Sequence, residues 1–307
     1  MLGKIALMCF TEKYLYLIMY KKITCKTALN KLNSSYLPYN WDLNVYRGCS
    51  HRCQYCYALY SHQYLNAGDF FGNIFIKENI VEALEKQLQK KSWKHEVINL
   101  GGVTDSYQAI EKKIELMPHI LKLLIKYRTP ASLSTKSKLL LRDKELFEEL
   151  AEVAGATIGI SVTTFDKDLR QKIEPGSSST EERFEITNAF RNTKVRTGVL
   201  MMPILPFLTD SEENLRSLFK ASKDAGADFV ITGLLNLRSQ TRGHFLGFIK
   251  NAFPELYDIY VSYYTGKTDK KAYRQKVYER ISILRKEYPL SPKKLSRPKP
   301  PEQLKLF

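Results

Sequence analysis

The chain has 307 residues, 44% of them apolar and 26% charged, and a formal net charge of +16. That is the composition of a soluble globular protein, and a chain of this length builds a core without covalent staples. A disulfide scaffold is a poor reading, because the cysteine count is five and nothing suggests secretion, so the cysteines are available for chemistry. The charge is uneven, because Lys267 to Phe307 holds thirteen Lys/Arg against four Asp/Glu.

Ile5 to Tyr20 is apolar but interrupted by Glu12 and Lys13. It is too short and too charged to span a bilayer, and it lacks the small-residue cleavage site of a signal peptide. The expectation is a cytoplasmic protein with no membrane contact. Residues 1–35 read as an N-terminal extension, dispensable before about Met19, with Cys9 and Cys25 as small buried hydrophobes. A first strand is predicted at Leu43–Tyr46, running straight into the segment Arg47-Gly48-Cys49-Ser50-His51-Arg52-Cys53-Gln54-Tyr55-Cys56-Tyr57.

Helical spacing follows over Asn79–Lys91, then a short strand at Val97–Leu100 ending on Gly101-Gly102. A helix over Ile114–Tyr127 must accommodate Pro118 near its start or at a kink. Strands are predicted at Ala131–Ser134, Thr157–Val162, Lys194–Met201 and Phe229–Leu235. Helices are predicted over Asp143–Val153 (capped by Asp143), from Thr180 (as cap) onward, over Ser211–Ala225, and briefly near His244–Asn251. Six strand–helix units in strict alternation imply a parallel sheet with right-handed crossovers. Six are too few to close an eight-stranded barrel. The expected fold is therefore α/β, an open partial (β/α)6 TIM-type barrel over residues 36–252, with its ligand loops at the C-terminal ends of the strands.

Beyond Pro254, Tyr257, Tyr260, Tyr263 and Tyr264 precede a basic helix from about Lys270 to Lys286, so residues 253–288 read as a C-terminal helical extension. Interleaved aromatic and basic residues can stack bases and grip phosphates. At helical spacing the same aromatics pack on the domain, which is the favoured reading. Residues 289–307 read as a basic, proline-rich, disordered tail. The basic end is an electrostatic footprint for nucleic acid, although Lys, Asn, Ile and Tyr are common throughout this chain.

The chemistry concentrates in Cys49, Cys53 and Cys56, spaced C-x3-C-x2-C. Three thiolates this close can hold three irons of a four-iron cluster and leave the fourth open to bind something. Structural zinc is the rival. It prefers four closed ligands, no cysteine follows Cys56, and His51 or His62 would have to complete a Cys3His site.

Several further segments resemble the radical S-adenosylmethionine superfamily, in the branch related to spore photoproduct lyase. They are Trp41 to Cys49, the cysteine loop with Tyr57-Ala58, Thr104 to Lys112, Thr135-Lys136-Ser137, Leu141-Arg142-Asp143, Ser161 to Thr164, Glu174-Pro175, Glu182-Arg183 and Met202 to Pro206. The resemblance implies a [4Fe-4S] cluster on Cys49, Cys53 and Cys56 that binds S-adenosyl-L-methionine and cleaves it reductively, giving a 5′-deoxyadenosyl radical that abstracts hydrogen from substrate. It further implies cofactor contacts by Tyr55 near the adenine, by Gly101, Gly102 and Asp105 on the methionine amino group, by Lys136 on its carboxylate, and by Ser161 and Arg183. Tyr57 resembles a hydrogen-relaying tyrosine of the lyase and is the candidate catalytic residue. A reductant such as flavodoxin or ferredoxin is implied as partner, and the substrate is left open, nucleic acid among the possibilities. One departure stands out: the lyase uses a further cysteine downstream of its cluster loop, and this chain has none after Cys56. Two alternatives stay open, a DNA-lesion lyase and a non-catalytic, zinc-stabilised nucleic-acid-binding module.

Overall fold

The computed structural model describes residues 5–11, 14–35, 37–65 and 68–290. β1 (Ile5–Thr11) and β2 (Tyr14–Ile23) pair antiparallel, Thr11 opposite Tyr14. The apolar run of the N-terminus is thus a hairpin, and Ile18 and Tyr20 belong to the main core. The side chain of Cys9 lies outside the described residues, and so does most of the basic tail, from residue 291 on.

β3 (Leu29–Lys31) runs antiparallel to β4 (Trp41–Leu43). The predicted first strand then departs from expectation. β4 stops at Leu43, and Tyr46–Arg47 forms β5, paired antiparallel with β6 (Asn73–Lys77), which itself runs parallel to β2. The cysteine loop therefore follows a strand of a small four-stranded sheet, ordered β1-β2-β6-β5, that the sequence reading did not foresee. Tyr46 anchors the diverted strand: it is fully buried and its hydroxyl donates to the buried carboxylate of Glu111.

The remaining chain alternates as expected. α1 (Ile80–Leu88) buries Ile80, Ala83, Leu84 and Leu88, one stripe of a 3.6-residue period. β7 (Ile98–Leu100) follows, then α2 (Glu111–Ile114) and α3 (Leu116–Lys126). The single helix predicted over Ile114–Tyr127 is divided at Glu115, whose φ of 56° is left-handed, so that Pro118 falls in the first turn of α3, where its missing N–H costs little. Next come β8 (Ala131–Thr135), α4 (Lys144–Val153), β9 (Ala156–Ser161), α5 (Lys167–Ile173), α6 (Thr180–Ala189), β10 (Arg196–Ile204), α7 (Glu212–Asp224) and β11 (Phe229–Leu234).

Two cap assignments change. Ser179, not Thr180, caps α6, in a reciprocal capping box with Glu182. Asp143 makes no cap bond to α4; its carboxylate accepts from Tyr107 Oη at 2.9 Å and pairs with Arg142.

The main sheet is ordered β11-β10-β9-β8-β7-β4-β3, with every neighbouring pair from β4 to β11 parallel and β3 antiparallel on one edge. This is the expected parallel α/β sheet of six strands, an open barrel. At the C-terminal end, α8 (Ser239–Ala252) is longer than predicted, and α9 (Tyr257–Thr265) and α10 (Lys270–Glu287) follow. Tyr260, Tyr263 and Tyr264 are buried in a second core cluster with Phe245, Ile249, Leu235 and, from the cysteine loop, Cys53 and Tyr55. The aromatic stretch packs on the domain. No helix among the described residues is long and apolar enough to cross a membrane.

Candidate active site

The cysteine loop and the C-terminal ends of β7 to β11, five of the six parallel strands, open on one cavity of ≈ 410 Å³. Cys49, Cys53, Cys56, Tyr55 and Tyr57 line it from the cysteine loop, Gly101, Gly102 and Asp105 from the end of β7, and Lys136 and Ser161 from the ends of β8 and β9. Leu200, Met202 and Pro203 of β10, with Gly233 and Leu234 at the end of β11 and Leu235 and Asn236 just after it, complete the lining. Of the residues assigned from sequence to the cluster or to cofactor contacts, only Arg183 does not line the cavity.

The cysteine loop is held by side chains from elsewhere, mostly from the segment Thr104 to Glu111. Thr104 Oγ1 donates to Gly48 O at 2.7 Å, Gln108 Nε2 donates to the same carbonyl at 3.2 Å, and Gln108 Oε1 accepts from Ser50 N at 3.0 Å. His51 bridges two partners, Nδ1 to Gly176 O at 2.8 Å and Nε2 to Asp105 Oδ2 at 2.9 Å. Asp105 also accepts from Thr135 Oγ1, Lys136 N and Tyr107 N, each at 2.8–2.9 Å at its nearest oxygen. Burial works against its charge, but the His51 contact and these donors outweigh it and hold the carboxyl down at about 2. Both oxygens of Asp105 are thus committed to bracing the loop.

A second carboxylate sits behind Gly102. Asp42 accepts from Asn99 Nδ2 at 2.9 Å and from Asn44, whose own Oδ1 accepts from Val103 N at 2.9 Å. Burial pushes the Asp42 carboxyl up, and those amides with the Gly102 N–H restrain it. A Cβ on Gly102 would come 2.6 Å from both Asp42 oxygens, so the position admits only glycine without displacement. The Gly102 carbonyl accepts from the hydroxyl of Tyr57, a side chain 63% exposed at the mouth.

The third brace is Glu174. Its fully buried carboxylate pairs with Arg183 Nη2 at 2.5 Å and accepts from the Tyr55 hydroxyl and, at 3.3 Å, from Thr163 Oγ1. Burial alone would raise Glu174, yet Arg183 and Lys136 hold it down at about 2. Arg183 spends its other donors on Ser161 O at 2.7 Å, Ser178 O at 3.0 Å and Ser177 Oγ. The expected cofactor-side role for Arg183 is therefore revised: it is wholly buried, and it fixes Tyr55 through Glu174 and Ser161 through its carbonyl. Lys136 is half-buried, with Nζ 5.7 Å from the Tyr55 ring centroid.

Sequence reasoning assigned no role to Asp42, Thr104, Gln108 or Glu174. All lie in segments already singled out. Their signal was a polar residue inside an apolar context, which demands a partner without naming one. His51 was read only as a possible zinc ligand.

Gly176 supplies a direct test of the loop's bracing. Its N–H donates to His51 O at 3.1 Å, and a Cβ there would meet Ser50 O at 2.2 Å, a backbone atom that cannot swing aside. Gly176→Ala is expected to displace the cysteine loop, lowering thermal stability by about 1–3 kcal/mol and reducing the metal retained per chain. Unchanged melting and unchanged metal content would contradict it.

The donor set fits a soft-metal centre. Burial pushes all three thiols up to about 12 in the protein alone, reinforced by neighbouring negative charge at Cys49 and Cys56 and opposed by Lys136 at Cys53. Thiols so reluctant to ionise become ligands only when a metal cation takes the place of their protons, and soft thiolates select iron–sulfur clusters or zinc. For zinc, a fourth ligand is wanting: both His51 nitrogens are engaged, and His62 faces Asn73 O at 2.9 Å against Phe70 and Phe75, outside the cavity lining. Among the described residues no three His, Cys, Asp or Glu side chains gather tightly enough for a single ion. All three cysteines line the cavity. Cys25 is not there; it is bracketed by Asn79 and packs against the main core.

An open parallel barrel with a three-cysteine loop at its mouth defines a class, and the sequence comparison agrees. The model of the Radical SAM superfamily matches residues 43–219, and the chain belongs to that superfamily. It is 37% identical over 290 residues to an uncharacterized protein of Mycobacterium tuberculosis, covering 93% of this chain and 85% of the other. It is 27% identical over 261 residues to an uncharacterized protein of Methanocaldococcus jannaschii, covering 85% and 92%. Among solved structures, a mutant spore photoproduct lyase superposes with a TM-score of 0.60 at 12% identity, over 88% of this chain and 79% of that one. A second lyase mutant, with AdoMet and dinucleoside spore photoproduct bound, gives 0.56 at 14% identity over 77% of this chain and 66% of the lyase, just under two thirds of its length. At these identities the likeness is one of fold.

Proposed function

We propose that Cys49, Cys53 and Cys56 hold a [4Fe-4S] cluster with an open iron, and that the cavity beside them binds S-adenosyl-L-methionine. When bound, the pair supplies one-electron cleavage of the sulfonium and a 5′-deoxyadenosyl radical able to take hydrogen from a substrate. The observation that carries the reading is that all three cysteines line one cavity together with the ends of β7 to β11.

The chain's own residues act by holding and orienting. Gln108, Thr104 and His51 preorganise the loop, so little conformational freedom is lost when the thiols ligate. The Gly101 and Gly102 backbone offers carbonyl acceptors of the kind an ammonium seeks. Lys136 offers a cation for a carboxylate, kept beside the Tyr55 ring. Tyr55, locked by Glu174, presents a rigid face to an adenine. Tyr57 is the candidate catalytic residue, because its hydroxyl is at the mouth and its ring remains exposed.

Iron and sulfide analysis of anaerobically reconstituted protein tests the centre. About four of each per chain, with brown colour, supports it; one zinc per chain and no colour would replace it with the zinc-stabilised module. Lys136→Met is expected to weaken S-adenosylmethionine binding at least tenfold by equilibrium dialysis while leaving the visible spectrum of the cluster unchanged. Unaltered affinity would remove Lys136 from the site.

A further inference from the structure

The basic excess at the C-terminal end needs an account, and α10 locates part of it. Its inward face, Val277, Ile281 and Leu284, is buried in the main core. Some of its cations are used by the protein: Arg280 donates to Asp210 O at 3.3 Å, Arg285 to Val230 O at 3.2 Å, and Lys270 lies 5.0 Å from the Tyr264 ring centroid. Lys271, Lys276 and Lys286 are exposed and meet no partner among the described residues. Of the two carboxylates of the helix, Glu287 is paired with Arg216, and Glu279 accepts at 2.9 Å from the neutral amide of Gln275 and keeps its charge. The result is an 18-residue helix, about 27 Å long, whose exposed charge is predominantly positive, with Glu279 as the one carboxylate not ion-paired among the described residues.

We propose that the outward face of α10 is a contact surface for the phosphate backbone of double-helical nucleic acid. The choice of a duplex follows from where the aromatics went. Binding of unpaired strands needs exposed rings on which bases stack. Tyr260, Tyr263 and Tyr264 are buried, Tyr273 is half-buried with its hydroxyl donating to Asp210, and Tyr278 is half-buried with Arg274 lying 5.7 Å from its ring centroid. What remains outside is ammonium groups spaced along a rod, which recognise phosphates and carry no base readout. Lys271 to Lys286 spans about 22 Å, several phosphate steps of one strand.

The test uses full-length, cluster-reconstituted protein without S-adenosylmethionine and a short random-sequence DNA duplex, read by fluorescence anisotropy across a salt series. Wild-type affinity is expected to fall steeply with salt and to be indifferent to sequence. The variant carrying Lys271→Gln, Lys276→Gln and Lys286→Gln should bind at least tenfold more weakly, with a log–log salt slope smaller by about 3. Its circular dichroism should match wild type, since none of the three side chains makes a hydrogen bond or ion pair among the described residues. An unchanged slope and affinity would overturn the assignment, as would tighter binding to single strands than to duplex, or equal binding to vesicles of anionic lipid. 5′-Deoxyadenosine formation by the variant should stay at the wild-type level, so failure of this surface is separable from failure of the proposed chemistry.

Discussion

Cys53→Ala should abolish assembly of the metal centre and leave the fold intact. The loop is held from outside its thiols, by Gln108, Thr104 and His51, and by Gln54 N donating to Ile173 O at 2.9 Å. None of these bonds involves a cysteine side chain. The cost to the fold is the loss of one buried sulfur from the cluster of Tyr55, Leu235 and Phe245, about 1–2 kcal/mol. The cost to metal binding is a ligand, and two thiols cannot hold what three hold. Iron content should fall to background with circular dichroism unchanged. Global unfolding of the variant would show that the loop depends on the metal for its shape.

The largest stability effect is expected at Arg183 and Glu174. Both side chains are wholly buried and paired at 2.5 Å. Removing one partner strands the other's charge in the interior, a loss of about 3–5 kcal/mol. Arg183→Met should therefore lower the melting temperature steeply, and a double variant with Glu174→Gln should recover part of the loss, because the stranded carboxylate is then gone. An equally unstable double variant would mean that the bonds to Ser161 and Ser178 matter more than the charge. The same pair fixes an acid limit. Glu174 and Asp105 are both depressed to about 2 in the fold. Each contributes stability that is complete above the ordinary carboxylate range, near about 4, and is lost as pH falls from there toward 2. Wild-type protein should destabilise across that window, and the double variant less so. A flat stability profile between pH 5 and 2 would contradict the pairing.

The barrel was legible because parallel strands buried on both faces read as short apolar runs, and the helices between them are amphipathic. Ala131–Thr135 and Ala156–Ser161 fall within a residue of their predicted bounds. The small sheet was not legible. β5 is two residues long, and its partner β6 was passed over between the cysteine loop and α1. Only long-range pairing defines such strands, and a local pattern cannot show it. The cavity lining was largely visible, since its candidates stood in the cysteine loop or where a predicted strand ended, as Gly101, Lys136 and Ser161 do. The bracing was not: the bond from His51 to Gly176 spans 125 residues, and that from Tyr55 to Glu174 spans 119. Arg183 shows the limit of transferring a role by motif, because its neighbours in space are carbonyls and a carboxylate rather than open cavity.

The most direct test of the central claim is to reconstitute the protein anaerobically, add dithionite and S-adenosylmethionine, and quantify 5′-deoxyadenosine by chromatography. The cavity and its three cysteines predict that 5′-deoxyadenosine accumulates with wild-type protein and is absent with Cys53→Ala. A brown, iron-loaded wild-type protein that leaves S-adenosylmethionine intact would contradict it.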